Sequence, residues 1–196
     1  MANLFNCIQW GTGFKKTGLD VDYKIYIQKH KLVVVFQPTW SMTDSVLDLI
    51  FIPKWLKGIG FVHKGFAIGY NSARVEILNE IDKMIIENIE TINEICVYGY
   101  SMGGAYAVLN YLDLETNETI PTKCVTWGMP PIFLLPSGKL KEKLKEVIRV
   151  VYEKDMFTIL PFFYSHVGRL WKIGKCKDFW NVKSHEMYYQ CNDELI

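Results

Sequence analysis

The sequence predicts an α/β fold, a mostly parallel sheet covered by helices on both faces. Four short apolar runs, at 32–36, 95–98, 124–127 and 147–152, alternate with helical segments. Runs of that length without polar alternation read as strands buried on both faces, the pattern of parallel strands under helices. With 196 residues the chain can bury one sizeable core. No repeat or low-complexity linker divides it, so a single domain over 1–196 is expected.

Taken in order, residues 23–27 alternate in strand fashion, and Leu32-Val33-Val34-Val35-Phe36 reads as the first buried strand. Gln28-Lys29-His30-Lys31 between them is a polar hairpin connection. Residues 71–90 form a long helical segment in which Val75, Leu78, Ile81, Ile85 and Ile89 recur at three or four. Ile95-Cys96-Val97-Tyr98 is the next strand, followed at once by Gly99. From Met102 onward Gly103, Gly104, Ala105, Ala107, Val108 and Leu109 predict a buried helix to about 112. Cys124-Val125-Thr126-Trp127 is the third strand and 147–152 the fourth. Between those two, 137–146 reads as a basic surface helix, with Lys139, Lys141, Lys143 and Lys145 around Leu140 and Leu144.

Composition narrows the function. Apolar residues make up 49% and charged residues 22%, ordinary for a globular domain. A formal net charge of +1 supplies no field for nucleic acid, which excludes it as an expected partner. The five cysteines (Cys7, Cys96, Cys124, Cys176, Cys191) show no C-x-x-C pair, and Cys96 and Cys124 sit in apolar runs as small buried hydrophobes. The N-terminus carries no basic and apolar leader, and no run nears the roughly 20 apolar residues that cross a bilayer, so a cytoplasmic location is expected. No H-E-x-x-H, cysteine–histidine cluster or G-x-x-x-x-G-K-[ST] occurs, so neither a metal nor a cofactor is expected.

The chemistry centres on Gly99-Tyr100-Ser101-Met102-Gly103, a G-x-S-x-G pattern lying between a strand and a helix. The flanking glycines make room for a tight turn that lifts the Ser101 hydroxyl above the carboxyl edge of the sheet. The helix N-terminus then turns free N–H groups toward it, and the Met102 amide is the expected oxyanion donor. The competing reading is a glycine-rich turn whose serine merely caps the helix.

A serine hydroxyl becomes a nucleophile when a histidine takes its proton, and the imidazole needs a carboxylate to hold its tautomer. In this fold class the order is Ser, acid, His. Of the four histidines, His30 and His63 precede the serine, leaving His166 and His185. Asp155 follows the 147–152 strand and so lands on the same sheet edge as Ser101, with Glu153 as its rival. Asp178 and Asp193 follow no apolar strand. Order and spacing leave both histidines open.

The chain resembles the class 3 (fungal-type) lipase family of α/β-hydrolases, in order from about 32 to 189. Leu32-Val-Val-Val-Phe36 with Gln37-Pro38-Thr39-Trp40-Ser41 and Asp44 resembles the family's strand and F-R-G-[ST] turn. Val62-His63-Lys64-Gly65-Phe66 with Tyr70 is similar to V-H-x-G-F and a following Y. Gly99-Tyr-Ser-Met-Gly-Gly-Ala105 resembles G-H-S-L-G-G-A, and Thr126-Trp-Gly-Met-Pro130 resembles T-F-G-x-P. Asp155-Met-Phe-Thr-Ile-Leu-Pro161 resembles the D-x-V-x-x-L-P stretch that holds the family's catalytic aspartate. Tyr164-Ser-His166-Val-Gly168 resembles Y-x-H-x-G, whose histidine is not the base, and Ser184-His185-Glu-Met-Tyr188 resembles the D-H-x-x-Y stretch that carries the base.

The resemblance implies a lipase-like carboxylic ester hydrolase, with Ser101 as nucleophile, His185 as base, Asp155 as its orienter and Thr39 as a second oxyanion donor. The same triad would serve an acyltransferase or a phospholipase, and a catalytically silent lipid-binding module is the reading from another class. Three departures stand out. Gln37-Pro38 replaces R-G beside Thr39, Tyr100 replaces the family's histidine with an expected change in local packing, and Ser184 replaces the aspartate beside the base.

The partner implied is an acyl ester or lipid. Residues 40–62 are strongly apolar with glycines near their end, and in the family this region carries a lid. Phe51, Ile52, Trp55 and Leu56 would then meet acyl chains or a lipid interface; the alternative is that they pack in the core. Trp171 to Trp180, with Lys172, Lys175, Lys177 and Lys183, interleaves aromatics and lysines. It reads either as a headgroup-facing run or as a solvated face over buried rings.

Overall fold

The computed structural model describes residues 4–8, 10–19, 21–38, 52–115, 119–174 and 183–189. Its strands are β1 (Lys15–Thr17), β2 (Val21–Gln28), β3 (Lys31–Gln37), β4 (Pro53–Leu56), β5 (Gly60–His63), β6 (Glu94–Tyr100), β7 (Thr122–Trp127), β8 (Phe133–Leu134), β9 (Ile148–Tyr152) and β10 (Arg169–Ile173). Its α-helices are α1 (Lys64–Glu87), α2 (Met102–Leu114), α3 (Gly138–Lys143) and α4 (Lys183–Glu186). Seven strands form one sheet in the order β1-β2-β3-β6-β7-β9-β10. From β3 to β10 all neighbours are parallel, whereas β1, β2 and β3 pair antiparallel.

Alternation along each strand sends side chains into two cores. Leu32, Val34, Phe36, Ile95, Val97 and Cys124 face α1, α2 and α3. Val33, Val35, Cys96, Tyr100, Trp127 and Val150 face the other way, onto Phe5 and Ile8 of the N-terminal segment and onto Tyr188. Helical pieces flank both faces, but unequally. The first face carries the long helices. Among the described residues the second is covered by the 3-10 turn Asn6–Ile8 and by the short helical stretch 183–189.

The β2–β3 hairpin turns more tightly than its polar connection suggests. Gln28 and Lys31 are paired, and Lys29 and His30 alone make the turn, both with positive φ. That geometry matches the right-handed twist of the strands.

Helix α1 differs from its predicted stripe. It begins at Lys64, directly after β5, and buries Phe66, Ala67, Tyr70, Ala73, Ile77 and Ile81. Val75 is 67% exposed and Ile89, past the helix end, 60%. Leu78, Ile81 and Ile85 of the expected stripe pack on the core, and the N-terminal half of the helix adds rings and small residues. At Gly69 an added Cβ would lie 2.5 Å from the Tyr106 hydroxyl. Helix α2 matches its prediction, with all but Asp113 of its residues buried. Helix α3 is short, capped by the Ser137 side chain accepting from the Leu140 amide, and anchored by buried Leu140 and Leu144.

Two features have no counterpart in the sequence pattern. Strand β10 extends the sheet beyond β9, and β4, β5 and β8 form a small second sheet. The described part of the apolar 40–62 region is therefore the β4–β5 hairpin, in which Trp55 and Phe61 meet edge to face at 5.0 Å. Phe51 and the rest of that region up to residue 51 lie outside the described residues, as do 175–182 of the Trp171 run. No helix among the described residues is long and apolar enough to cross a membrane.

Candidate active site

Strand β6 delivers Ser101 to the carboxyl edge of the sheet, and α2 begins on the next residue. Ser101 has φ 55° and ψ −125°, a conformation L residues rarely adopt and one that costs of order 1–3 kcal/mol. The glycines around it permit the turn. A Cβ on Gly99 would lie 2.3 Å from the Gly103 carbonyl oxygen, and one on Gly103 would lie 2.4 Å from that of Phe36. The Ser101 amide is held by the Trp127 carbonyl at 2.8 Å. Met102 opens α2, so its amide is among the four that find no carbonyl within a helix.

Asp155 follows β9 and caps the 3-10 turn Met156–Ile159. Its carboxylate is fully buried and accepts three hydrogen bonds: from His185 Nδ1 at 2.8 Å and the Tyr188 hydroxyl at 2.7 Å, both on Oδ2, and from the Phe157 amide at 3.0 Å on Oδ1. A carboxylate only accepts, so Nδ1 carries the imidazole proton. His185 Nε2 is then left with its lone pair toward Ser101 Oγ, 2.7 Å away. The ring is mostly buried, lying 5.2 Å from the Tyr100 ring and 4.5 Å from that of Phe157.

Ser101, His185 and Asp155 thus form one hydrogen-bonded line across the sheet edge. The other sequence candidates do not join it. His166 is half-buried against the turn that follows Asp155, with Nε2 donating to the Thr158 carbonyl at 2.6 Å. Burial first, and then the positive charge of Arg149, lower its pKa to about 4. His63 is fully buried against the Phe66 and Tyr164 rings, and burial lowers its pKa to about 4 as well. His30 lies in the β2–β3 turn, and Glu153 sits on the surface. Thr39 lies outside the described residues, as do Asp178 and Asp193.

Two neighbours of the line carried no role in the sequence reading. The Tyr188 hydroxyl donates to Asp155 and accepts from the Tyr152 amide at 2.8 Å, tying the histidine segment to β9. Burial, then the Asp155 charge, push its phenol pKa well upward, so it remains a donor. Gly128, at φ 58°, lies where a Cβ would approach His185 Cε1 to 2.9 Å and Asp155 Oδ2 to 3.1 Å. The signals were present as the Y of the Ser184-to-Tyr188 stretch and the G of Thr126-Trp-Gly-Met-Pro130, but no local pattern assigns a contact to either. Among the described residues no three His, Cys, Asp or Glu side chains converge as a metal site.

A parallel sheet that holds a strained serine against a histidine and a buried carboxylate at its carboxyl edge is that of an α/β-hydrolase. Within that class the sequence model of the family described as Lipase (class 3) matches residues 33–165, more than half of the chain, and the protein belongs to that family. Rhizomucor miehei triacylglyceride lipase has a similar structure, with a TM-score of 0.77 at 21% identity over 92% of this chain and 80% of its own. A triacylglycerol lipase whose catalytic centre is a serine protease triad has a TM-score of 0.77 at 22% identity, over 90% of this chain and 78% of its own. The chloroplastic phospholipase A1-Igamma1 of Arabidopsis thaliana is 23% identical over 87% of this chain. The chain spans 45% of the length of that plant relative.

Proposed function

We propose that the protein hydrolyses carboxylic esters of lipids through a covalent acyl-enzyme, with Ser101 as nucleophile, His185 as general base and then acid, and Asp155 as the orienting carboxylate. The observation that carries the proposal is the 2.7 Å approach of Ser101 Oγ to an imidazole nitrogen whose partner nitrogen is bound to a buried aspartate. Ser101 Oγ attacks the ester carbonyl carbon as its proton passes to His185 Nε2, giving an imidazolium opposite the Asp155 charge. The oxyanion that forms meets the Met102 amide, with Thr39 proposed as the second donor; one such donor is worth about 10²–10³-fold in turnover. Collapse breaks the bond to the alcohol, which leaves with the proton from His185. A water molecule, deprotonated by the same nitrogen, then attacks the acyl carbon and releases the acid and Ser101.

Family membership supports an acyl lipid as substrate, and the name of the plant relative favours including phospholipids. Exposed Ile52 and Trp55 support contact with a lipid interface through a flap at about 40–62. A fluorophosphonate probe tests the nucleophile: labelling of wild type and none of Ser101→Ala is expected, and equal labelling of both refutes the assignment. A panel of p-nitrophenyl esters of rising chain length, with phosphatidylcholine alongside, separates esterase, lipase and phospholipase. Activity that rises where the ester passes its solubility limit supports the flap, and a smooth saturation curve through that point speaks against it.

A further inference from the structure

The residue before the nucleophile is Tyr100, and its side chain reaches across to the general base. Its hydroxyl donates to the main-chain carbonyl of His185 at 2.5 Å. Its ring lies 5.2 Å from the His185 imidazole at an interplanar angle of 23°, a stacked arrangement. We propose that Tyr100 is the positioning residue for His185, holding both its backbone and its ring in line with Ser101. The inference rests on the reading of His185 as base.

The need for such a tether follows from local structure. His185 sits on α4, a single turn of four residues. Isolated helices shorter than about 12–15 residues do not hold themselves, so the orientation of α4 is set by its attachments. The contacts through Asp155 hold the imidazole Nδ1 and the Tyr188 side chain, whereas the Tyr100 hydroxyl holds the backbone of His185 itself. Tyr100 is in turn buried, with Phe5 edge-on to its ring at 5.5 Å and Trp10 at 6.0 Å. The N-terminal segment thus backs the base through one aromatic ring. A histidine at this position ends closer to its Cα than a phenol does and falls short of the same carbonyl.

The test compares wild type, Tyr100→Phe and Tyr100→His with a short-chain p-nitrophenyl ester, at a temperature where thermal unfolding shows all three folded. Loss of one neutral hydrogen bond predicts a fall in kcat of about three- to tenfold for Tyr100→Phe. KM should stay unchanged, and fluorophosphonate labelling of Ser101 should slow in parallel. Tyr100→His should lose at least as much, because it gives up the carbonyl contact as well as the phenol ring. Wild-type kcat in Tyr100→Phe, or a change confined to KM, overturns the inference. A wild type that neither hydrolyses the ester nor takes the label overturns the hydrolase reading and this inference with it.

Discussion

Replacing Tyr188 with phenylalanine removes one oxygen from the interior and breaks two contacts. The Tyr188 hydroxyl donates to Asp155 Oδ2 at 2.7 Å and accepts from the Tyr152 amide at 2.8 Å, in a site with no solvent exposure at Tyr188. A hydrogen bond to a charged group is worth about 1.5–3 kcal/mol, and withdrawing an acceptor from a buried amide costs about 1–3 kcal/mol more, partly offset by relaxation. The sum is about 3 kcal/mol. For a chain of 196 residues this lowers Tm by about 6–12 °C. Asp155 keeps the Phe157 amide and His185 but loses its link through Tyr188 to β9, so kcat should fall about tenfold as the histidine segment loosens. Calorimetry and ester kinetics on Tyr188→Phe read both numbers. A Tm within about 2 °C of wild type refutes the energetic argument. A lowered Tm with wild-type kcat would leave the energetics standing and remove Tyr188 from the support of the site.

Further outcomes follow from the same geometry. His185→Ala should lose several orders of magnitude in kcat, while His166→Ala, which only frees the Thr158 carbonyl, should keep most of it and lose stability instead; the reverse pattern would reassign the base. Gly128→Ala should be folded but nearly inactive, because its Cβ enters the space of His185 and Asp155 at a positive φ; wild-type turnover would show that the segment yields freely. His63 and His166 have pKa values lowered by burial from 6.5 to about 4, so the unfolded chain binds protons that the folded one refuses. Their contribution is complete above pH 6.5 and is lost as pH falls toward 4. Unfolding midpoints measured across that window should decline with acidity, and less steeply in His63→Phe, since neither ring nitrogen of His63 has a hydrogen-bond partner among the described residues. An unchanged slope in that variant would show that His63 contributes nothing to acid sensitivity.

Local sequence carried the central strands because they are short, apolar on both faces and bounded by polar turns. It carried the Ser101 turn because only glycine fits at positions 99 and 103. It carried Asp155 because a residue just past a buried parallel strand must emerge at the carboxyl edge of the sheet. The α1 stripe was placed in part, since Leu78, Ile81 and Ile85 pack on the core while Val75 and Ile89 are exposed; apolar spacing did not register Phe66, Tyr70 and the small Ala67, Ala73 and Gly69. The β4–β5–β8 sheet and β10 were hidden because their partly exposed strands lack a continuous apolar run.

The sequence by itself determined the fold class and singled out Ser101, Asp155 with Glu153 as its rival, and two histidines. Spacing could not separate His166, 11 residues past Asp155, from His185, 30 past it, and the family resemblance favoured the second. Only the tertiary structure decides what each histidine touches. It sends His166 against the turn that follows Asp155, to a backbone carbonyl, and brings His185 back over the sheet edge on a single helical turn. The attachments of that turn, Tyr100 and Tyr188, lie 85 residues before His185 in contact and 3 after it in sequence. Contacts of that kind have no local signature, since they depend on which strands become neighbours, and that is settled only when the whole sheet has formed.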